Sequence, residues 1–131
     1  MGFVEVLAAA AAGFAMGAVW YMTFSGVWLK ATGLELDEKG QPVETGSYGP
    51  FVVAGIAMIL VAGMMRHVFA MSGIDGAGES LVAGLGIGAF FITPWVAMNY
   101  AYAQRRPMLT IIDGGYSVLG AGVIGLVLGL V

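Results

Sequence analysis

Four apolar stretches with almost no charge inside them occupy most of this chain, at 3–29, 51–71, 81–103 and 109–131. Each reaches or exceeds the ~20 residues a helix needs to cross a ~30 Å hydrocarbon core at ~1.5 Å per residue. A soluble domain of 131 residues would interleave charges at helical or strand spacing, whereas here 10% of residues are charged and 60% are hydrophobic. That much apolar surface has nowhere to hide in a soluble core of this size. Backbone groups at membrane depth must be satisfied inside a helix or a closed barrel. Barrel strands alternate polar and apolar positions, and these runs are continuous. The reading is an all-α polytopic membrane protein, a four-helix transmembrane bundle forming one domain over 1–131. The first run starts with Glu5 rather than Lys or Arg and extends past the length of a signal peptide, so it reads as a retained helix.

The loops set the orientation. The first, 30–49, is the long hydrophilic one, with Lys30, Glu35, Asp37, Glu38, Lys39 and Glu44 among turn formers such as Gly40, Pro42 and Gly46. The second, 72–80, carries Asp75 and Glu79, and the third, 104–108, carries Arg105, Arg106 and Pro107. With four spans the first and third loops share a side. They hold Lys30, Lys39, Arg105 and Arg106, against Arg66 on the other side, so the positive-inside rule puts them in the cytoplasm and both termini outside.

On the outer side Arg66, His67 and Glu79 form a candidate cluster. Arg66 either snorkels outward to Glu79 or Glu5, or it joins His67 in an ion or proton entry point. On the inner side lie Trp20, Tyr21, Trp28, Asn99, Tyr100, Tyr102, Arg105, Arg106, Asp113 and Tyr116. The aromatics suit an interfacial belt. Asp113 is less ordinary, because it sits about one turn inside the last span. It shares a helix face with Tyr116, Ser117 and Gly120 by the 3.6-residue period. Asn99 is placed to reach it, and Arg105 or Arg106 to neutralise it. The alternative is structural, since Thr110-x-x-Asp113 resembles a capping box.

No Asp, Glu, Lys, Arg or His lies near the middle of any span, which argues against a lone ion-coupled carrier. The sequence offers no nucleophile–base pair, no HExxH and no phosphate loop, so the expectation is no enzyme and no cofactor. A single His and no Cys leave no metal site. The net charge of −3 has no basic run for nucleic acid. The nine methionines read as gap fillers. Thr93–Pro94 near mid-depth should kink the third span.

Glycine makes up 22 of the 131 residues. Gly13/Gly17, Gly84/Gly88 and Gly125/Gly129 are small-xxx-small pairs, which let membrane helices approach closely. The Gly125/Gly129 strip points nearly opposite the Asp113 face. This leaves open whether it packs inside the monomer or against a second subunit.

Two stretches resemble a known family. Gly17-Ala18-Val19-Trp20-Tyr21, followed by Phe24 and Trp28, is similar to the signature ending the first span of the domain of unknown function 1761 family. Asn99-Tyr100, Arg106-Pro107 and Ile112-Asp113-Gly114-Gly115-Tyr116 resemble its second signature, across the last loop. The resemblance implies a small four-span protein of a bacterial cytoplasmic membrane, and no reaction. Taken together, the expectation is a non-catalytic interaction protein whose partners are the lipid bilayer and either itself, as a homo-oligomer, or another membrane protein, as an accessory subunit. The alternative is a small carrier or channel for a solute, ion or lipid, with an inner-side polar pocket at Asn99, Asp113 and Tyr116.

Overall fold

The computed structural model describes residues 2–34, 38 and 48–131. Most of the acidic first loop, including Glu35, Asp37, Lys39 and Glu44, lies outside the described residues. Among the described residues there is no strand, and the helices run α1 Gly2–Thr32, α2 Gly49–Ser72, α3 Ala77–Ile87, α4 Thr93–Tyr102 and α5 Pro107–Leu130. A π-helical turn, Gly88–Ile92, joins α3 to α4. Four helical segments, with Ala77–Tyr102 counted as one, are therefore long and apolar enough to cross a membrane. The chain is a multi-pass membrane protein.

Local chemistry sets the ends. Pro50 and Pro107 occupy the first turns of α2 and α5, where a missing N–H costs no intrahelical bond. Gly73, at φ 69°, closes α2 in the left-handed region and returns its N–H to the Phe69 carbonyl. Gln104 does the same service after α4 at φ 58°, an uncommon conformation for a residue with a Cβ. α1 departs from helical geometry at Phe24 (φ −108°, ψ 17°).

The packing is not an even four-way bundle. α5 lies at the centre, against α1 on one side and α3, the π-turn and α4 on the other. α2 leans on α1 and only touches α5. Burial follows this order: 39% of the most apolar window of α5 is buried, 28% of that of α1, and 11% of those of α2 and of the third span. Two cores result. Toward Arg66, Val6, Ala9 and Ala10 of α1 meet Ala62, Met65 and Phe69 of α2 and Ala121 and Ile124 of α5. Toward Arg105, Ala31, Leu109 and Ile112 are covered by Trp20, Tyr21, Phe24, Trp28 and Tyr100. Since lipid tails are as apolar as leucine, what holds such cores is close packing and hydrogen bonding rather than removal from water.

The glycine pairs are spent on α5. An ideal Cβ on Gly84, Gly88 or Gly125 would collide with the backbone oxygens of Ala121, Ser117 and Ser80 respectively, and one on Gly129 would lie 2.6 Å from the Gly76 oxygen. α3 and α5 thus meet backbone to backbone. Gly13 and Gly17 face Ile124 and Tyr116. The Gly125/Gly129 strip, which could have faced a second subunit, packs inside the chain.

Candidate functional site

Asp113 lies in the second turn of α5, half-buried, with α1 on one side and α4 on the other. The Tyr21 hydroxyl donates to its Oδ1 at 2.5 Å, and the Tyr100 hydroxyl donates to Oδ2 at 2.6 Å. One carboxylate therefore ties three helices together. A partly water-free setting strengthens such hydrogen bonds. Around this centre α5 makes further polar contacts. Trp20 Nε1 donates to the Ile112 carbonyl at 2.9 Å, and Tyr116 donates to the Gly13 carbonyl at 2.9 Å. Thr93 Oγ1 donates to the Gly88 carbonyl at 2.7 Å and lies 3.3 Å from that of Gly114. Ser117 returns its hydroxyl to the Asp113 carbonyl at 3.0 Å.

The aromatic rings pack against one another, with centroids 4.6 Å apart for Trp20–Phe24, 5.9 Å for Tyr21–Trp28 and 5.4 Å for Tyr21–Tyr116. These spacings are ordinary ring contacts. Trp20 and Tyr21 point into the bundle rather than forming an interfacial belt. Trp95 and Tyr102, 66% and 86% exposed, face outward.

Several expected members of the polar cluster are elsewhere. Asn99 is exposed, and it is its neighbour Tyr100 that reaches Asp113. The π-turn is the reason. Counting on at helical spacing from Gly84 and Gly88, both against α5, arrives at Asn99. The π-turn inserts one residue, which rotates everything after it by ~100°, so that Thr93 and Tyr100 face α5 instead. Pro94, which has no N–H to donate, is the second residue of α4, just past this turn.

Arg105 and Arg106 do not bond Asp113. Nη2 of Arg105 donates to the Thr32 carbonyl at 2.8 Å and Nη1 of Arg106 to that of Lys30 at 3.1 Å. The last carbonyls of α1 lack intrahelical donors and carry partial negative charge, so cations settle there. Nor does Thr110–Asp113 cap α5: Arg106 holds the cap position without a side-chain cap bond. α5 begins at Pro107, which puts Asp113 too far inside the helix to reach its free N–H groups.

At the opposite end Arg66 Nε pairs with Glu5 Oε2 at 3.0 Å, not with Glu79. Glu79 instead accepts the Asp75 N–H at 3.2 Å at the start of α3. His67 is exposed beside Arg66. Among the described residues no three acidic or His side chains converge on a point where a metal ion could sit, and no buried side-chain nitrogen or oxygen lacks a hydrogen-bond partner.

One feature carries no sequence motif. Ala8, Ala11, Ala15 and Ala18 are all exposed and recur at spacings of three and four, forming one outward face of α1. Only the three-dimensional arrangement, by burying the opposite face against α5 and α2, isolates this row as small and uncovered.

The family model described as "Protein of unknown function (DUF1761)" matches residues 4–129. No curated protein and no solved structure matches the chain. The chain belongs to the DUF1761 family.

Proposed function

We propose that this member of the DUF1761 family is a non-catalytic interaction protein of the membrane, working as a homo-oligomer through the outward face of α1. The observation that carries the reading is the size of the side chains on that face. Elsewhere the surface is bulky, as with Val53, Leu60 and Met71 on α2 and Phe91, Trp95 and Tyr102 on α4. Large side chains suit lipid, whereas small ones let a second helix backbone approach closely. The alanine row is an exposed stretch of α1 with this character, and a second copy offers the matching row. Among the described residues Asp113, Thr93, Tyr116 and Ser117 are meanwhile hydrogen-bonded within the chain, and each Asp113 oxygen already accepts a tyrosine hydroxyl.

The proposal places the protein in a bacterial cytoplasmic membrane, with Lys30, Lys39, Arg105 and Arg106 on the cytoplasmic side. The chain has no cysteine, so single cysteines introduced in the source membrane report contacts without background. Under mild oxidation, Cys at Ala8, Ala11, Ala15 or Ala18 should give disulfide-linked dimers, while Cys at Val53, Leu60 or Phe91 should not. Adducts with a different protein at the same four positions would make it an accessory subunit instead. Equal cross-linking on all faces, or none, would remove the reading. Liposome flux that changes with Asp113→Asn would favour a carrier.

A further inference from the structure

The side of the molecule where α2 leans on α1 carries a trough. Its part near Arg66 is a groove of ≈ 650 Å³ between Phe3 and Val6 of α1 and Leu60, Gly63 and Met64 of α2. A second, wholly apolar groove continues it toward Phe14 and Gly55, and Ile59 lines both. From Arg66 back to Gly55 along α2 is eleven residues, or ~16 Å of helix rise. That is about half of a ~30 Å hydrocarbon core, the depth of one leaflet. The trough therefore runs from headgroup level to about the bilayer midplane.

Its mouth is charged. Arg66 lies six residues before the end of α2, yet its guanidinium reaches up to the start of α1, where an ideal Cβ on Gly2 would lie 2.7 Å from Cζ. This is a snorkelling arginine. Its Nε donates to Glu5, and among the described residues no other hydrogen-bond partner of the guanidinium is recorded. The Nη donors at this level suit a phosphate, for which the planar guanidinium is matched in geometry and charge. His67 also lines the groove and adds a ring nitrogen.

We propose that this trough holds one glycerophospholipid, its phosphate on Arg66 and one acyl chain along the α1–α2 groove. Glu5 holds Nε and offsets part of the guanidinium charge, so it competes with the phosphate for Arg66. The site is separate from the Asp113 cluster; Ala11 and Ala15 of the α1 row line its deeper groove, so the acyl chain lies along the edge of that row, whereas the phosphate end at Arg66 stands clear of it.

The test is native mass spectrometry of the delipidated full-length protein in detergent. It is titrated with palmitoyl-oleoyl phosphatidylethanolamine, phosphatidylglycerol or the diacylglycerol of the same chains. Both phospholipids should fill a first site at least about tenfold more tightly than diacylglycerol, the scale of one charged hydrogen bond. Arg66→Gln should bring the phospholipids down to the diacylglycerol level, and Arg66→Lys should keep most of the difference. Gly63→Leu, which fills the groove floor, should weaken all three lipids. Should Arg66→Gln fail to fold, Glu5→Gln still decides the matter. Removing the competing carboxylate should tighten phospholipid and leave diacylglycerol unchanged. Diacylglycerol binding as tightly as the phospholipids overturns the proposal. So does a first site indifferent to Arg66→Gln, or, where that variant does not fold, indifferent to Glu5→Gln.

Discussion

The two halves of α5 hold their neighbours by opposite means. Between Ile112 and Tyr116 the helix is held by tyrosine, tryptophan and threonine, and the contacts are hydrogen bonds to Asp113 and to three α5 carbonyls or hydroxyls. Between Ser117 and Gly129 it touches α3 and the start of the π-turn through glycine, with backbone against backbone. Without a strong hydrophobic drive in lipid, a helix can gain contact by directed polar bonds or by closeness, and α5 uses each in one half. The first rests on paired polar groups, and the second on the absence of a Cβ where two backbones meet.

That contrast can be broken at the glycine half with the largest effect. Gly84→Ala, Gly88→Ala or Gly125→Ala puts a methyl where a backbone oxygen already sits. Each should cost ~3 kcal/mol or more, or abolish folding in bilayers, read by denaturant unfolding of the reconstituted protein. Gly55→Ala and Gly86→Ala, whose Cβ would meet nothing within 4 Å, should be neutral or gain up to ~1 kcal/mol. If all five behave alike, the close approach of α3 and α5 is wrong.

The polar half should respond less. Asp113→Ala leaves two tyrosine hydroxyls without their acceptor and should cost ~1–3 kcal/mol in the same unfolding assay. Tyr21→Phe and Tyr100→Phe should each cost ~0.5–1.5 kcal/mol, and less in the background of Asp113→Ala, since the bond is already gone. The register can be checked at one position's remove. Asn99→Ala should shift stability by no more than ~0.5 kcal/mol, because Asn99 faces outward. An effect at Asn99 as large as at Tyr100 would contradict the one-residue offset of the π-turn. The smallest effect is expected at Gln104→Gly, which relieves the left-handed backbone after α4 and should add up to ~1 kcal/mol in thermal unfolding.

Much of the architecture is legible in the sequence because hydropathy over twenty residues is a strong signal. Asp113 stands out for the same reason, as an ionisable side chain inside a span. Its partners are harder to read. Asn99 follows from α-helical counting, which one inserted residue at Gly88–Ile92 defeats, and Thr93–Pro94 signals a break without saying whether it kinks or bulges. Arg105 and Arg106 look like counter-ions for Asp113 until the free carbonyls at the end of α1 come into view as nearer acceptors. The direction of the Gly125/Gly129 strip is not encoded locally, since the same spacing serves contact within a chain or between chains. The alanine face of α1 acquires meaning only once the opposite face is seen to be buried.

Since α5 uses its glycine and its polar chemistry inside the chain, the surface proposed for self-association is the α1 row of Ala8, Ala11, Ala15 and Ala18. Native mass spectrometry of the protein extracted with its surrounding lipid from the source membrane tests this most directly. The account predicts assemblies of two or more copies that fall to single copies with Ala18→Phe. Single copies in the unaltered protein, carrying lipid alone and no protein partner, would contradict it.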